Sequence, residues 1–317
     1  MMYRGQFAKL MVPGLHHLFV HWLDLHQRER EYDKILNVEN SDQAFEDEAE
    51  FSGLGPLSQK PEATAVIYDN AIQGGSKRYL HLPWALGVRS SFELFRDDKY
   101  NLIKQVPKAL ARSAHFTEEQ QSFNLFNLGF TNAVTTTDGV SLFNTQHPLL
   151  GGAQATNIGP GVSNIIAAAG TFPNRPLIDS DLSVTALQEA MDSFERLIDS
   201  QGLPVVLKPK YVLIPPELRW IAREILGSPH TPYSAENQIN SLIAEDLQYC
   251  VGHYLTSNTA WFVLCDKTSH QLKFFWRDPL DEDFADDFDT KSLKQMCYMR
   301  FSVGATSWMG VWGSPGP

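Results

Sequence analysis

The first 95 residues contain little of the periodic apolar pattern from which a chain builds a core of its own. Residues 1–60 are apolar with several histidines at first and acidic later, and the stretch 51–56 breaks any helix. We therefore predict that residues 1–60 form an extended N-terminal arm. An arm of this size must lie on another surface, either the body of its own chain or a neighbouring copy.

Residues 61–95 are predicted to form a long β-hairpin. Ala63–Tyr68 and Arg78–Val88 are strand-like, and Gly74 and Gly75 would supply the turn between them. A two-stranded hairpin is only marginally stable by itself in water. This segment too would therefore need a partner surface.

Residues 96–182 are predicted to begin with helix and continue through turns. The segment 97–130 has the three-to-four spacing of a buried helix face, and Pro107 would either start or kink that helix. Thr117 and Gln120 fit a capping box, which indicates a second helix beginning there. If the helix is continuous, ~30 residues at ~1.5 Å rise give an element of about 45 Å.

Residues 183–265 contain an α/β block that could hold its own core. Ser183 can cap a helix, Tyr211–Ile214 is a short buried strand, and Pro216 suits the first turn of a further helix. The patterns together predict an α+β chain.

The C-terminal residues 266–317 are predicted to be mainly strands. Leu272–Trp276 and Lys291–Gly310 have strand character, and the acidic stretch 278–289 is predicted to be a loop between them.

Negative charge is concentrated in two stretches of this 317-residue chain, whose formal net charge is −11. Residues 24–50 hold ten acidic and three basic side chains, and residues 277–289 hold seven acidic side chains against Arg277. The rest of the chain is close to neutral. Such a chain is a poor candidate for binding nucleic acid over its whole surface.

Cysteine and hydropathy patterns indicate a reducing compartment and no membrane. Cys250, Cys265 and Cys297 are odd in number and lack zinc-site spacing, so buried free thiols are expected. The most apolar N-terminal run, Leu10–Leu25, contains three histidines and an aspartate and falls short of a membrane helix. It also lacks the pattern of a signal peptide, so we expect folding in the cytosol.

Two segments could in principle hold a metal ion. His17 and His21 are four residues apart, but Leu18 stands where a zinc-protease helix has glutamate. The acidic stretch 278–289 could bind Ca²⁺ or Mg²⁺, but it lacks the glycine of a calcium-binding loop. Packing histidines and a solvated loop are favoured, so no metal site is predicted.

No pattern marks a catalytic or cofactor-binding residue. Ser141 and His147 could join an aspartate in a hydrolase triad, but no GxSxG turn supports this and His147 precedes Pro148. The glycines around 74–77 and 159–161 lack the spacing of phosphate-binding loops. We therefore expect no cofactor and no enzymatic function.

The segment Asp138–Pro148, DGVSLFNTQHP, resembles the "DGxxLFxTxHP" stretch seen in major capsid proteins of tailed bacteriophages, which have the HK97-type fold. Residues 78–100 resemble the second half of that family's extended loop and the entry to its long spine helix. Residues 182–228 resemble the family's helix, strand ending in a Pro-Pro pair, and second helix. The resemblance covers roughly residues 60–317.

The resemblance implies an α+β, HK97-like capsid fold. Its parts would be an N-terminal arm at 1–60, an extended β-hairpin (the E-loop) at 61–95, and a peripheral domain whose spine helix lies within 96–182. The axial α/β domain would be 183–265. Residues 266–317 would supply peripheral-domain strands and the C-terminal return.

The function implied by the resemblance is that of the major structural subunit of an icosahedral phage head. Many copies, as hexamers and pentamers, would form a shell enclosing double-stranded DNA, with no membrane. Separate scaffolding and portal proteins and a decoration protein are the other expected partners. The location would be the virion, after assembly in the host bacterial cytoplasm. The alternatives are an encapsulin-like shell protein of a cellular nanocompartment and, more remotely, a soluble hydrolase using Ser141 or His147.

Opposite local charges suggest how neighbouring subunits could meet. Basic residues of the hairpin would contact acidic arm residues of adjacent copies, in the manner of strand addition or draping. The predicted assembly residues are Gly74, Gly75, Lys77, Arg78, Arg89, Glu46, Asp47 and Glu48.

Overall fold

A computed structural model describes most of the chain. The described residues are 7–51, 53–66, 68–71, 73–97, 104–148, 171–199, 203–230, 238–287, 289–290 and 292–317. They divide into two compact units. The first unit comprises Met1–Glu46, Tyr79–Ser122 and Phe274–Val303, and the second comprises Asp47–Arg78, Phe123–Lys273 and Gly304–Pro317.

The described residues form both helices and strands. The helices are α1 (Phe7–Arg28), α2 (Tyr32–Ile35), α3 (Phe92–Asp97), α4 (Gln105–Asn127), α5 (Val184–Glu195) and α6 (Arg219–Gly227). The strands are β1 (Asn37–Asn40), β2 (Phe45–Phe51), β3 (Gln73–Leu80), β4 (Leu82–Ser91), β5 (His147–Pro148), β6 (Thr171–Phe172), β7 (Pro209–Ile214), β8 (Gln248–Val251), β9 (Trp261–Cys265), β10 (Leu272–Asp287), β11 (Ser292–Ala305) and β12 (Val311–Ser314).

The first unit is built on a four-stranded sheet in the order β1-β10-β11-β4. Strand β11 runs antiparallel to β4, with Phe301 opposite Leu82. Helices α1 and α4 contribute Phe19 and Leu110 to a core that includes Cys297 of β11. Residues three and four apart on α4 supply its buried face, as the spacing predicted.

The second unit contains a sheet in the order β12-β9-β7-β8, in which only the β7–β8 pair is parallel. All five residues of β9 are buried, as expected for a central strand packed on both faces. Helices α5 and α6 pack on the sheet through Leu187, Phe194 and Ile225.

Local signals in this second unit gave correct predictions. The Ser183 hydroxyl accepts a hydrogen bond from the Ala186 N–H at 3.2 Å and caps α5. Pro216 begins a 3₁₀ turn that leads directly into α6. The strand predicted at Tyr211–Ile214 is β7. The domain boundaries drawn from the sequence stay a prediction.

The prediction of an extended arm at residues 1–60 is wrong in its conformation. The apolar first part is helix α1, because Leu15 and Phe19, one turn apart, both find buried positions. Two histidines of α1 contact other elements of the first unit. His16 contacts Glu282 at 2.9 Å, and the His26 ring stacks on His115.

The predicted hairpin of residues 61–95 is also wrong. Gly74 and Gly75 lie inside β3 rather than in a turn. Strand β3 pairs with β2, and β4 pairs with β11. Where residues 63–68 are described, they form no strand.

Two further predictions are wrong because a helix and a strand are longer than expected. Helix α4 runs unbroken through Thr117, whose hydroxyl donates to the Ser113 carbonyl at 2.9 Å within the helix, and Pro107 lies in its first turn. The acidic stretch 278–289, predicted to be a loop, is strand β10 up to Asp287. Its Glu282 is buried and accepts a hydrogen bond from Gln295 of β11.

The cysteines are free thiols, as predicted, with Cys265 and Cys297 buried and Cys250 half-buried. Burial raises the pKa of the Cys265 thiol to about 12. Throughout the described ranges, no helix combines the length and the apolar character needed to cross a membrane.

Candidate assembly site

Seven of the eight predicted assembly residues lie on a two-stranded ribbon formed by β2 and β3. Glu46, Asp47 and Glu48 belong to β2, and the two glycines, Lys77 and Arg78 belong to β3. The eighth, Arg89, lies on β4.

Asp47 and Arg78 form a two-point ion pair across this ribbon. The Arg78 Nε and Nη2 atoms donate to the two Asp47 carboxylate oxygens at 2.7 and 2.6 Å. These hydrogen bonds lower the pKa of Asp47 below its usual value. The opposite charges predicted to attract one another thus meet within one chain. Since both side chains are exposed, the pair orients the ribbon more than it stabilises it.

The base of the ribbon is held against the loop at Thr135–Thr137. Lys77 Nζ donates to the Thr135 carbonyl at 2.7 Å, and burial lowers the pKa of Lys77. A Cβ on Gly75 would lie 1.9 Å from the Thr137 carbonyl oxygen, so the two backbones approach this closely only because position 75 is glycine. Thr137 in turn donates to Glu50 at 2.8 Å.

The other acidic residues of the ribbon also have partners in their own chain. Glu48 forms an ion pair with Lys273 and accepts a hydrogen bond from Thr306. Glu46 accepts a hydrogen bond from the Ser41 hydroxyl at 2.6 Å.

Arg89 is held separately, within the first unit. Its Nε donates to the Ser292 hydroxyl at 2.8 Å, and its Nη2 lies 3.4 Å from an Asp287 carboxylate oxygen. The structure therefore does not bring Arg89 together with the acidic residues of β2.

The chain between β2 and β3 presents large apolar side chains to solvent. Its described residues, 53–66 and 68–71, have no regular secondary structure. Leu57 is 102% exposed and Tyr68 is 89% exposed, and Leu54 and Val66 are also exposed. We call residues 53–71 the exposed segment. Sequence reasoning missed its character, although apolar residues among prolines and glycines without helix or strand periodicity were the available signal.

The family-like stretch Asp138–Pro148 forms a buried polar cluster. His147 Nδ1 lies 2.6 Å from an Asp138 carboxylate oxygen, and its Nε2 lies 3.1 Å from Asn174 Oδ1. The Asn174 amide is oriented by the Asn144 N–H, which donates to Oδ1, and by the Leu142 carbonyl, which accepts from Nδ2. Both ring nitrogens therefore face side-chain oxygens.

Ring stacking and hydrogen bonds hold the members of this cluster together. The fully buried His147 ring stacks on Trp308 with centroids 4.6 Å apart. Burial acts to raise the pKa of Asp138, but hydrogen bonds from His147, Thr136 and the Val140 N–H outweigh it and hold the pKa below its usual value.

The hydrolase alternative fails on this geometry. Both nitrogens of His147 are occupied by Asp138 and Asn174, so His147 is not placed to take a proton from Ser141. The Ser141 hydroxyl is buried and instead pairs with Asn144 and the Phe143 carbonyl. In the part of the chain that the structure describes, no three His, Cys, Asp or Glu residues are grouped to hold a metal ion.

Two adjacent buried glutamates of α4 hold the N-terminal segment in the first unit. Glu118 accepts from Arg30 at 3.0 Å and from the Tyr32 hydroxyl at 3.2 Å. Glu119 accepts from the backbone N–H groups of Glu31 and Tyr32 at 2.7 and 3.2 Å. Burial, only partly offset by those hydrogen bonds, raises the pKa of Glu119 to about 7.

The stability of the chain is expected to fall as pH rises from about 4.5 to 7 because of Glu119. In that window the folded chain keeps a proton that the unfolded chain releases, so the free energy of unfolding falls as pH rises. Each pKa unit is worth about 1.4 kcal/mol, and the loss from Glu119 is therefore about 3 kcal/mol. Urea unfolding at several pH values measures it.

Glu119→Gln should flatten that pH dependence but not remove it, because burial also raises the pKa of Glu118. Glu189→Gln, an exposed position on α5, is the matched control and should leave the slope unchanged. Equal slopes for wild type and Glu119→Gln would contradict the assignment.

A family model described as a phage capsid protein matches residues 79–313, which is more than half of the chain, and the chain belongs to that family. It is a major capsid shell subunit with the HK97-type fold, and such subunits assemble in many copies. A comparison with curated proteins found no match.

Solved structures show the same fold at low identity. The capsid of cyanophage P-SCSP1u is 10% identical, with 89% of this chain and 86% of that chain covered and a TM-score of 0.57. The capsid of bacteriophage JBD30 is 14% identical, with 72% and 91% covered and a TM-score of 0.54. The SrpI encapsulin of Synechococcus elongatus PCC 7942 is 11% identical, with 90% and 86% covered and a TM-score of 0.50.

Proposed function

We propose that this chain builds an icosahedral phage head of hexamers and pentamers that encloses double-stranded DNA. The shell is part of the virion and assembles in the host bacterial cytoplasm. Membership of the phage capsid family supports the proposal. The observation that carries the mode of assembly is the exposed segment, with its solvent-facing Leu57 and Tyr68.

Apolar side chains of that size, clustered in one segment, mark a surface that is covered by a partner. In a shell of identical subunits the partner is a neighbouring copy. Each such contact can be modest, because many contacts close one assembly and their free energies combine.

The predicted assembly residues then fix the ribbon from which the exposed segment extends. Gly75 and Lys77 hold its base to the Thr135–Thr137 loop, and Asp47 and Arg78 join its two strands. The remaining part of this proposal is that Arg78, the more exposed of the two cations of β3, also contacts acidic residues of an adjacent subunit.

Further partners belong to the same proposal. A scaffolding protein would guide closure, a portal would occupy one vertex, and a decoration protein would bind the finished surface. In this proposal the chain acts as a structural protein rather than an enzyme.

Electron microscopy of the full chain expressed with its neighbouring phage genes tests the proposal. We expect closed particles whose DNA resists added nuclease. A chain that stays monomeric at assembly concentrations, or particles of helical form, would contradict it.

A nanocompartment shell is the second candidate, since the SrpI encapsulin shares the fold. Both kinds of shell have this fold, so the contents of purified particles distinguish the two candidate functions. A nanocompartment would hold a protein cargo and no nuclease-resistant DNA.

A further inference from the structure

Three basic side chains stand at the start of α4, Lys104 immediately before its first residue and the other two on the helix. Lys104, Lys108 and Arg112 are exposed and stand at successive four-residue steps. At ~1.5 Å rise per residue they span about 12 Å. We call them the basic stripe.

An open groove of about 520 Å³ runs beside the stripe. The residues that line it are Gln105, Lys108, Ala109, Arg112, Ser113 and Phe116. None of these side chains is acidic, so among the described residues the lining of the groove carries the positive charge of Lys108 and Arg112.

The basic stripe lies at the N-terminal end of α4, where the helix dipole makes positive charge unfavourable. The positive end of the peptide dipoles is at a helix N-terminus, where acidic side chains are favoured and basic ones are not. The first turn of α4 contains no acidic residue, and the two glutamates of the helix, Glu118 and Glu119, lie beyond the stripe and are buried. An external anion would relieve this unfavourable arrangement.

The cations are not neutralised within the described ranges. None of the three takes part in an ion pair among those residues. Lys108 Nζ lies 3.9 Å from the centre of the Trp22 ring. That contact orients the ammonium group but leaves its charge available.

The acidic residues 42–50 of a second copy are a poor occupant for the groove. All five acidic residues between positions 42 and 50 have partners in their own chain. These residues and partners are Asp42 with Arg277, Glu46 with Ser41, Asp47 with Arg78, Glu48 with Lys273 and Glu50 with Thr137. Since these carboxylates already have partners, they do not favour this stretch of a second copy over an anion from outside the chain.

We propose that the basic stripe and its groove bind the phosphate backbone of duplex DNA. The inference rests on the proposed function, in which the shell encloses DNA. Arg112 can pair with a phosphate through two N–H groups, and the lysines act as point charges. Such contacts carry no sequence preference. Each subunit binds weakly, and the many copies of a shell make the total contact large.

The test measures how DNA binding by the unassembled full chain depends on salt, and compares wild type with a variant and a control. The variant is K104Q/K108Q/R112Q, in which glutamine keeps helix propensity and removes charge. The matched control is R219Q/R223Q, which removes two exposed arginines from α6. Fluorescence anisotropy of a labelled short duplex is recorded between ~50 and ~200 mM salt.

Three phosphate contacts predict a salt slope near −2.7, so wild-type affinity should fall about 40-fold over that range. The triple variant should lose most of this slope, and the control should keep it. If the triple variant misfolds by circular dichroism, R112Q alone should make the slope shallower by about 0.9.

Equal slopes for wild type and a folded variant would overturn the inference. Equally strong binding of a poly-glutamate peptide would overturn it too, since the site would then take acidic protein segments. Particle formation is scored separately by electron microscopy. Wild-type chain that forms no DNA-filled particles counts against the proposed function, whereas filled particles with equal slopes count only against the basic stripe.

Discussion

Replacing Leu57 and Tyr68 together by serine is expected to abolish shell formation at concentrations where the unaltered chain assembles. Both side chains are exposed in the single chain, so the substitutions remove no contact within it. In the shell, burying two side chains of this size contributes roughly 4 kcal/mol per subunit. Its loss raises the concentration needed for assembly about a thousandfold.

Light scattering and electron microscopy over a concentration series measure this effect. Leu177→Ser with Val206→Ser is the matched control, because these side chains are similarly exposed in the same unit but lie outside the exposed segment. The unfolding midpoint of the unassembled chain should be the same for all forms. Assembly of the Leu57/Tyr68 variant at wild-type concentrations would rule out the exposed segment as a subunit contact.

His147→Ala is expected to destabilise the second unit by about 3 to 5 kcal/mol, the usual cost of leaving a buried charged group without its partner. The substitution leaves the Asp138 carboxylate buried and empties the space against Trp308. Urea unfolding of the unassembled chain measures the loss. His17→Ala, at an exposed position of α1, should stay within about 0.5 kcal/mol of wild type.

His147→Ala should also change how the stability of the second unit depends on pH in the acid range. The folded pKa of Asp138 is depressed, so its contribution to stability is present at neutral pH and is lost as pH falls through that folded pKa. Without the His147 hydrogen bond the folded pKa of Asp138 rises, so the part of the acid loss of stability that Asp138 contributes should shrink. A variant with wild-type stability and an unchanged acid transition would refute the role of the cluster.

Short-range signals in the sequence were sufficient where the structure depends on neighbours along the chain. The Ser183 cap, the β7 strand and the Pro216 turn each follow from a few adjacent residues, and each was predicted correctly. The apolar run of β7 predicted a buried strand, and its residues do lie in the core of the second unit.

Predictions failed where the reason for a residue lies far away in the sequence. Gly75 suggested a turn, but it is required by the Thr137 backbone against which β3 packs. Glu282 suggested a solvated loop, but its charge is accommodated by His16 and Gln295. No pattern within a short window contains those partners.

The candidate assembly site was predictable in part, because the sequence shows the charges of its residues but not their distant partners. Charge alone singled out Asp47 and Arg78, and they do meet, although within one chain. Lys77 was singled out for its charge, but its bond to the Thr135 carbonyl was not foreseeable. The basic stripe was missed because the sequence shows only its spacing, and helix electrostatics give that spacing its meaning.

Each of the two units encloses one thiol in its own core, Cys297 in the first and Cys265 in the second. Burial raises the pKa of both thiols, so neither is a nucleophile while its unit is closed. The rate at which a thiol reagent modifies each cysteine therefore measures how often that unit opens. The chain carries two internal probes of local unfolding, one for each unit, and they can be followed in the free subunit and in the finished shell without adding a label.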